Sequence, residues 1–366
     1  TDKVIAYLDD FSYDGTIGDN TNNVDTNFDT LVFSDEFDTD GGLDTSKWFH
    51  QTFGPNGGRW FNNELQHYTD SNTNSFVSNG NLHIVAKKET LTLNGATLDY
   101  TSARLNSKFA FTYGRVDVRA SLPKDNGTWP AIWTLGKNIS ETGAYWQTQG
   151  FGTTPWPACG EIDIMEHGLH GVNTVSSALH TPSSSGNTQN TATKPLADVN
   201  TFHVYSMIWT SESIAFLIDD VEYYTYAPQD KNADTWPFNK DQFLLLNLAI
   251  GGFSGNVDAN YTESSMIIDY VRVYQAAGSL GINDNDLESN LIAAFPNPVK
   301  DKLTIRYREG LQKNDAILYS ITGKKLYTFN QETLSKTYDV SFLNQGVYFL
   351  KLASNSGIKT LKIIKN

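Results

Sequence analysis

The chain has 366 residues, 39% hydrophobic and 19% charged, with 27 Lys and Arg against 41 Asp and Glu and a formal net charge of −14. This is the balance of a folded globular protein, and its negative field works against nucleic acid or any other polyanion as a ligand. No run approaches the roughly 20 consecutive apolar residues that span a bilayer, and a single cysteine, Cys159, excludes an intrachain disulfide and a cysteine-built zinc site.

Residues 1–30, rich in Asp, Asn and Thr, read as a loose N-terminal extension. The opening TDKVIAYLDD lacks the charged-then-apolar order of a signal peptide, so the protein is either cytosolic or already trimmed. From LVFSDEF onward, short runs of β-branched and aromatic residues alternate with Gly, Asn, Asp, Pro and Ser. They include LHIVAKK (82–88), GRVDVRASL (114–122), FHVYSMIWT (202–210), ESIAFLIDD (212–220), QFLLLNLAI (242–250) and IIDYVRVYQ (267–275). Period-two alternation is clear in RVDVRAS and HVYSMIW, and no long run has helical spacing. The TSES turn after Trp209 and the Asp219–Asp220 corner predict tight hairpins. The pattern is all-β, a sandwich or barrel. Residues 276–290, small and polar, read as a linker. Residues 291–366 carry six further strand-like runs: KLTIRY (302–307), DAILYSI (315–321), KKLYTF (324–329), KTYDVSF (336–342), GVYFLKLAS (346–354) and KTLKIIK (359–365). They predict a second, small, Ig-like β-sandwich, Lys-rich where the first domain is acidic.

The stretch GEIDIMEH (160–167) sets three acids, Glu161, Asp163 and Glu166, among apolar neighbours. In a regular strand Glu161 and Asp163 share a face and Glu166 points to the other one, into the core. A buried, unpaired carboxylate is costly. One extra residue at Ile164–Met165, a β-bulge, returns Glu166 to the side of the other two, so a bulge is predicted there. Two carboxyl groups about 5–5.5 Å apart suit a retaining glycoside hydrolase, one as nucleophile and one as acid/base, their mutual repulsion raising one pKa. A divalent-metal site and a solvated acidic face are the other readings of the same acids. The tryptophans cluster nearby. Trp129 and Trp133 have equal parity in GTWPAIWTLG, and Trp156 lies just upstream of the acids. A groove flanked by tryptophans fits sugar rings, although core packing is the commoner use of such side chains.

These residues resemble glycoside hydrolase family 16, and within it the laminarinase-like endo-β-1,3-glucanases. The resemblance runs through LVFSDEFD (31–38), LDTSKW (43–48), NNELQHYTD (62–70), TSARLNSKFAFTYGRVDVRASLPK (101–124), GTWPAIWTLG (127–136), WPACGEIDIMEH (156–167), LLLNLAIGG (244–252) and IDYVRVYQ (268–275). It implies a β-jelly-roll over residues 31–275 with an open concave cleft. It also implies Glu161 as nucleophile, Glu166 as acid/base and Asp163 as the supporting carboxylate, with no cofactor for catalysis. Trp129, Trp133 and Trp156 become cleft walls, and Arg104, His180 and Asn63 sugar contacts. Bland alternatives stand beside these: Arg104 pairing with an acid inside the sheet, His180 as an ordinary strand residue, Asn63 capping a turn. Many relatives hold a structural calcium ion on the convex side, and by similarity its ligands here are Asp269 and the backbone oxygens of Glu36 and Gly80. Cys159 reads as a small buried residue.

AFPNPVKDKLTIRY, YSITGKKLY and the final GVYFLKLASNSGIKTLKIIK are similar to the sorting domain of the bacterial type IX secretion system. That resemblance implies an exported protein with its signal peptide already removed, the secretion machinery as partner, and no membrane span. A small carbohydrate-binding module is the alternative for this domain, disfavoured by its lack of tryptophan. The expected activity is endo-acting hydrolysis of β-1,3-glucan such as laminarin by a monomer. Mixed-linkage glucan, an algal galactan such as agarose, transglycosylation and a non-catalytic glucan-binding role are the alternatives. The segment 137–156 is expected to shape one end of the cleft.

Overall fold

In the computed structural model the alternating runs pair into two large sheets. The structure describes residues 28–276 and, toward the C-terminus, 292–296, 298–307, 316–320, 324–330, 333–354 and 357–366. A seven-stranded antiparallel sheet runs in the order Thr191–Pro195, Thr174–His180, Glu161–His167, Thr128–Gly136, Gln242–Ile250, Arg104–Phe111 and Trp48–His50. The facing ten-stranded sheet is built on the long strand Glu263–Ala276, which pairs with Gly114–Ser121, Asn81–Lys87 and Phe28–Asp35. Alternation decides what each strand buries. Ile132, Ile162, Leu246 and Leu248 point inward from the first sheet and meet Val116, Val118, Met207, Val271 and Val273 from the second. Each such side chain contributes about 1.5–3 kcal/mol through the apolar surface it removes from water.

Gln242–Ile250 is buried along its whole length, and the two faces are buried for different reasons. Leu244, Leu246, Leu248 and Ile250 belong to the inter-sheet core. On the opposite face Phe243 and Leu245 pack with Ile139, Ala144 and Cys159, so the segment after Gly136 folds back over that end of the sheet. Asn247 and Ala249, on the same outer face, are left lining an open cleft.

Both predicted hairpins form. Trp209 pairs with Ile214 across the TSES turn, and Ile218 pairs with Val221 across Asp219 and Asp220, both at positive φ (51° and 61°) as a two-residue turn requires. Helix is confined, among the described residues, to single turns at Tyr145–Thr148 and Gly252–Ser254. Two boundaries differ from expectation. The first strand is Phe28–Asp35, held by pairing with the end of Glu263–Ala276, so it begins inside the stretch assigned to the extension. Among the described residues the C-terminal unit has seven strands in two sheets, not six: Ile292–Phe295 pairs with Lys302–Tyr307. IAAF is too short and alanine-rich to read as a strand. The core of this unit is Leu303, Ile305, Leu318, Phe329, Leu350 and Ile363. Residues 1–27 and 277–291, and with them the predicted linker, lie outside the described residues.

Candidate active site

The acid-bearing strand Glu161–His167 lies between the tryptophan strand Thr128–Gly136 and the histidine strand Thr174–His180. Gly160 (φ 78°) and Gly168 (φ 93°) bracket it. A Cβ on Gly168 would stand 2.1 Å from the Thr128 carbonyl oxygen, so that end of the strand demands glycine. The predicted bulge is present. Met165 pairs with Ile132 and Asp163 with Trp133, leaving Ile164 as the extra residue. Ile162, Ile164 and Met165 all lie in the core, while Glu161, Asp163 and Glu166 line the cleft together. The parity conflict in the sequence is thus resolved by two consecutive residues facing inward.

Each acid has its own partners. Trp156 donates from Nε1 to Glu161 Oε2 (3.1 Å), and Trp129 donates from Nε1 to Glu166 Oε1 (3.0 Å). His180 Nε2 stands 3.3 Å from Asp163 Oδ2 and 3.5 Å from Glu161 Oε1. Asp163 Oδ2 is buried without a hydrogen bond. The other ring nitrogen, Nδ1, accepts the Gly186 N–H (3.1 Å), which leaves the proton of the neutral ring on Nε2, facing the acids. Glu161, Asp163 and His180 offer atoms within 4.8 Å of one another, a spacing that would suit a metal. With Gly186 donating to Nδ1, however, Nε2 presents a proton rather than a lone pair, which opposes the metal reading.

Burial and like charge govern the proton affinities. Burial pushes Asp163 up to about 8. Burial, reinforced by the Asp163 charge and opposed by the Trp129 hydrogen bond, brings Glu166 to about 8. Glu161 is held well above the ordinary carboxylate range by burial and then by Asp163, with His180 pulling the other way. Glu161 and Asp163 therefore cannot both be ionised at neutrality; they hold a proton between them. Cys159 is buried, and burial raises its thiol to about 12, which makes it inert.

The expected walls are in place. Trp129, Trp133 and Trp156 line a cleft of about 380 Å³ on the outer face of the seven-stranded sheet, and Trp156 is 43% exposed. Arg104 also lines it, but its guanidinium lies 4.9 Å from the Trp60 ring centre and 4.8 Å from that of Trp133. Its Nη2 donates to Glu141 (2.9 Å) and its Nε to Gln51 (3.1 Å). The bland alternative, Arg104 paired with an acid, is what these contacts describe, and that acid comes from the 137–156 segment. Asn63 sits exposed in a turn at φ 59°, and its neighbour Asn62 is the one that lines the cleft. A second chain of partners went unread in the sequence. Trp133 donates to Asn247 (2.7 Å), Asn247 to the Tyr68 hydroxyl (3.1 Å), and Tyr68 to Glu64 (3.0 Å). The only signal for it was the spacing within NNELQHYTD, where Glu64 and Tyr68 share parity.

The candidate calcium ligands lie on the other sheet. Ile268 pairs with Leu82 and Val271 with Asp35, so Asp269 lies one residue from the level of the Gly80 turn and of Glu36. One carboxylate and two carbonyls suit a hard cation. In this structure Asp269 accepts from Arg119 Nη1 (2.5 Å) and the Glu36 carboxylate from Arg272, so a cation competes with Arg119 for Asp269.

Residues 62–272 match the family model for glycosyl hydrolases family 16, and residues 293–366 match that for a secretion system C-terminal sorting domain. Among solved structures, LamA from Zobellia galactanivorans, in complex with laminaritriose and laminaritetraose, is 48% identical with a TM-score of 0.63. The match covers 68% of this chain and all of that one. A laminarinase from Flavobacterium sp. UMI-01 is 37% identical with a TM-score of 0.58, over 67% of this chain and 100% of its own. The beta-glucanase of Rhodothermus marinus is 38% identical over 259 residues, 67% of this chain and 85% of that protein.

Proposed function

The chain belongs to family 16 of the glycosyl hydrolases, and from that membership we propose that it is an endo-acting, retaining hydrolase of β-1,3-glucan of the laminarin type. It is a glycoside hydrolase of the jelly-roll class, and its type IX sorting domain makes it a secreted or cell-surface protein. The observation that carries the substrate and mechanism is the bulged strand, which presents Glu161, Asp163 and Glu166 together in a cleft walled by tryptophans.

In the proposed reaction Glu161 attacks the anomeric carbon while Glu166 protonates the departing glycosidic oxygen. Glu166 then deprotonates the water that releases the glycosyl-enzyme, with net retention. A pKa near 8 keeps Glu166 protonated at neutrality, as an acid needs. The Trp156 N–H and the neighbouring His180 favour the carboxylate form of Glu161, against the burial and the Asp163 charge that raise it. The lining chemistry favours a neutral polysaccharide. Five acidic side chains (Glu64, Glu141, Glu161, Asp163 and Glu166) line the cleft with one guanidinium, Arg104, which is itself paired with Glu141 and Gln51. A sulfated galactan would meet repulsion there. Mass profiles over time on laminarin, mixed-linkage glucan and agarose test the reading. Mid-length oligomers appear first from laminarin; glucose alone, or products from agarose only, would overturn it.

The cleft is complete within one chain, so light scattering is expected to give the mass of a monomer. A structural calcium on Asp269, Glu36 and Gly80 is a further part of the proposal. Adding calcium to chelator-treated protein should then raise Tm by several degrees, as ligand linkage requires; an unchanged Tm removes the ion from the account.

A further inference from the structure

We propose that Ser177 and Tyr223 are positioning residues for Glu166, acting through the bulge. A bulge breaks the ladder and leaves a backbone group without its strand partner. Across the histidine strand, Asp163 pairs with Ala178 and Glu166 with Ser176, so Ser177 alone faces the Ile164–Met165 step. Ser177 points into the core between Val175 and Leu179, fully buried, where a hydroxyl needs a reason to be. Its Oγ–H donates to the Ile164 carbonyl at 2.7 Å, the bulge's own oxygen. Having spent its one proton there, Ser177 Oγ must accept from the Tyr223 hydroxyl, 2.5 Å away.

Tyr223 belongs to the opposite sheet, and it too sits at a bulge. In Val221–Tyr226, Tyr224 pairs with Phe216 and Glu222 with Leu217, which leaves Tyr223 as the extra residue. That irregularity re-aims the phenol across the sandwich instead of along the alternation. Two bulges, one in each sheet, therefore meet at a single serine hydroxyl, and the relay Tyr223–Ser177–Ile164 holds the register that keeps Glu166 in the cleft. Without it the Ile164 carbonyl loses its Ser177 donor, and the strand is free to relax toward regular pairing, which turns Glu166 away from the cleft.

The inference rests on the proposed role of Glu166, and the test separates the two. Kinetics are measured on laminarin and on an aryl β-glucoside oligomer whose activated leaving group needs no proton. Wild type, Ser177→Ala, Tyr223→Phe, the double variant and Glu166→Ala are compared, with folding checked by circular dichroism. A displacement of the acid of about 1 Å is worth on the order of 100-fold. Ser177→Ala should lose about that factor in kcat/KM on laminarin and far less in kcat/KM on the aryl glycoside, whose first step needs no acid. Tyr223→Phe should show the same selectivity more weakly, and the double variant should match Ser177→Ala because both act on one carbonyl. Equal losses of kcat/KM on both substrates, or wild-type kcat/KM on laminarin in folded Ser177→Ala, overturn the inference; should Ser177→Ala fail to fold, an unselective Tyr223→Phe does so. If Glu166→Ala itself shows no leaving-group selectivity, the assignment of Glu166 falls, and this inference with it.

Discussion

Glu161→Ser is expected to abolish turnover of laminarin, lowering kcat on the order of 10⁴-fold or more as loss of a covalent nucleophile does, which is about 5.4 kcal/mol of transition-state stabilisation. Binding should survive, because Trp129 and Trp133 are held by Glu166 and Asn247 and do not depend on Glu161. No neighbour can stand in for it. Asp163 is one methylene shorter and 5% exposed, and Glu166 is tied to Trp129 at the far end of the strand. Azide added to Glu161→Gly should restore turnover with formation of the α-glycosyl azide, because the anion enters from the face that the carboxylate vacated. Kinetics on laminarin together with calorimetric binding check both halves, and a variant that hydrolyses at the wild-type rate removes Glu161 from the mechanism.

Glu166→Ala is expected to cost about 10²–10⁴-fold on laminarin, the usual worth of a general acid/base, with azide now giving the β-glycosyl azide. The pH dependence follows from the environment of Glu166. The active form is protonated, burial has raised its pKa to about 8, and activity should fall as pH rises through that value. The Trp129 N–H stabilises the carboxylate form and so holds the pKa down. Trp129→Phe should therefore shift the alkaline limb of kcat/KM to higher pH, while keeping an aromatic face in the cleft. A limb that moves to lower pH, or stays fixed, would contradict this pairing.

The catalytic strand was legible in the sequence because parity is a hard constraint. Three acids that cannot share a face on a regular strand force either a bulge or a buried charge, and the bulge is what forms. The tryptophan wall was legible for the same reason, since Trp129 and Trp133 are four residues apart on one strand. What escaped was non-local. Arg104 is clamped by Glu141, 37 residues away in a segment with no periodic pattern. Glu64, Tyr68, Asn247 and Trp133 connect three separate stretches of chain through side-chain hydrogen bonds. Asn62 and Asn63 both adopt left-handed backbone, and nothing local distinguishes the one that faces the cleft. The Tyr223 bulge left no trace in the alternation of VEYYTY, where four of six residues suit either face. Pattern reading resolves which face a strand residue takes; it does not resolve which distant partner meets it there.

The central claim is that Glu161 forms the covalent bond to the sugar while Glu166 supplies the proton. The most direct test is to trap that bond. A laminari-oligosaccharide with fluorine at C2 and fluoride as leaving group slows both steps through the electron-poor ring, and the activated leaving group lets the glycosyl-enzyme accumulate. Digestion and mass spectrometry then locate the label. The label is expected on Glu161, within the peptide carrying EIDIMEH. A label on Asp163 or Glu166, or an unlabelled enzyme that inverts the anomeric centre, would contradict the account.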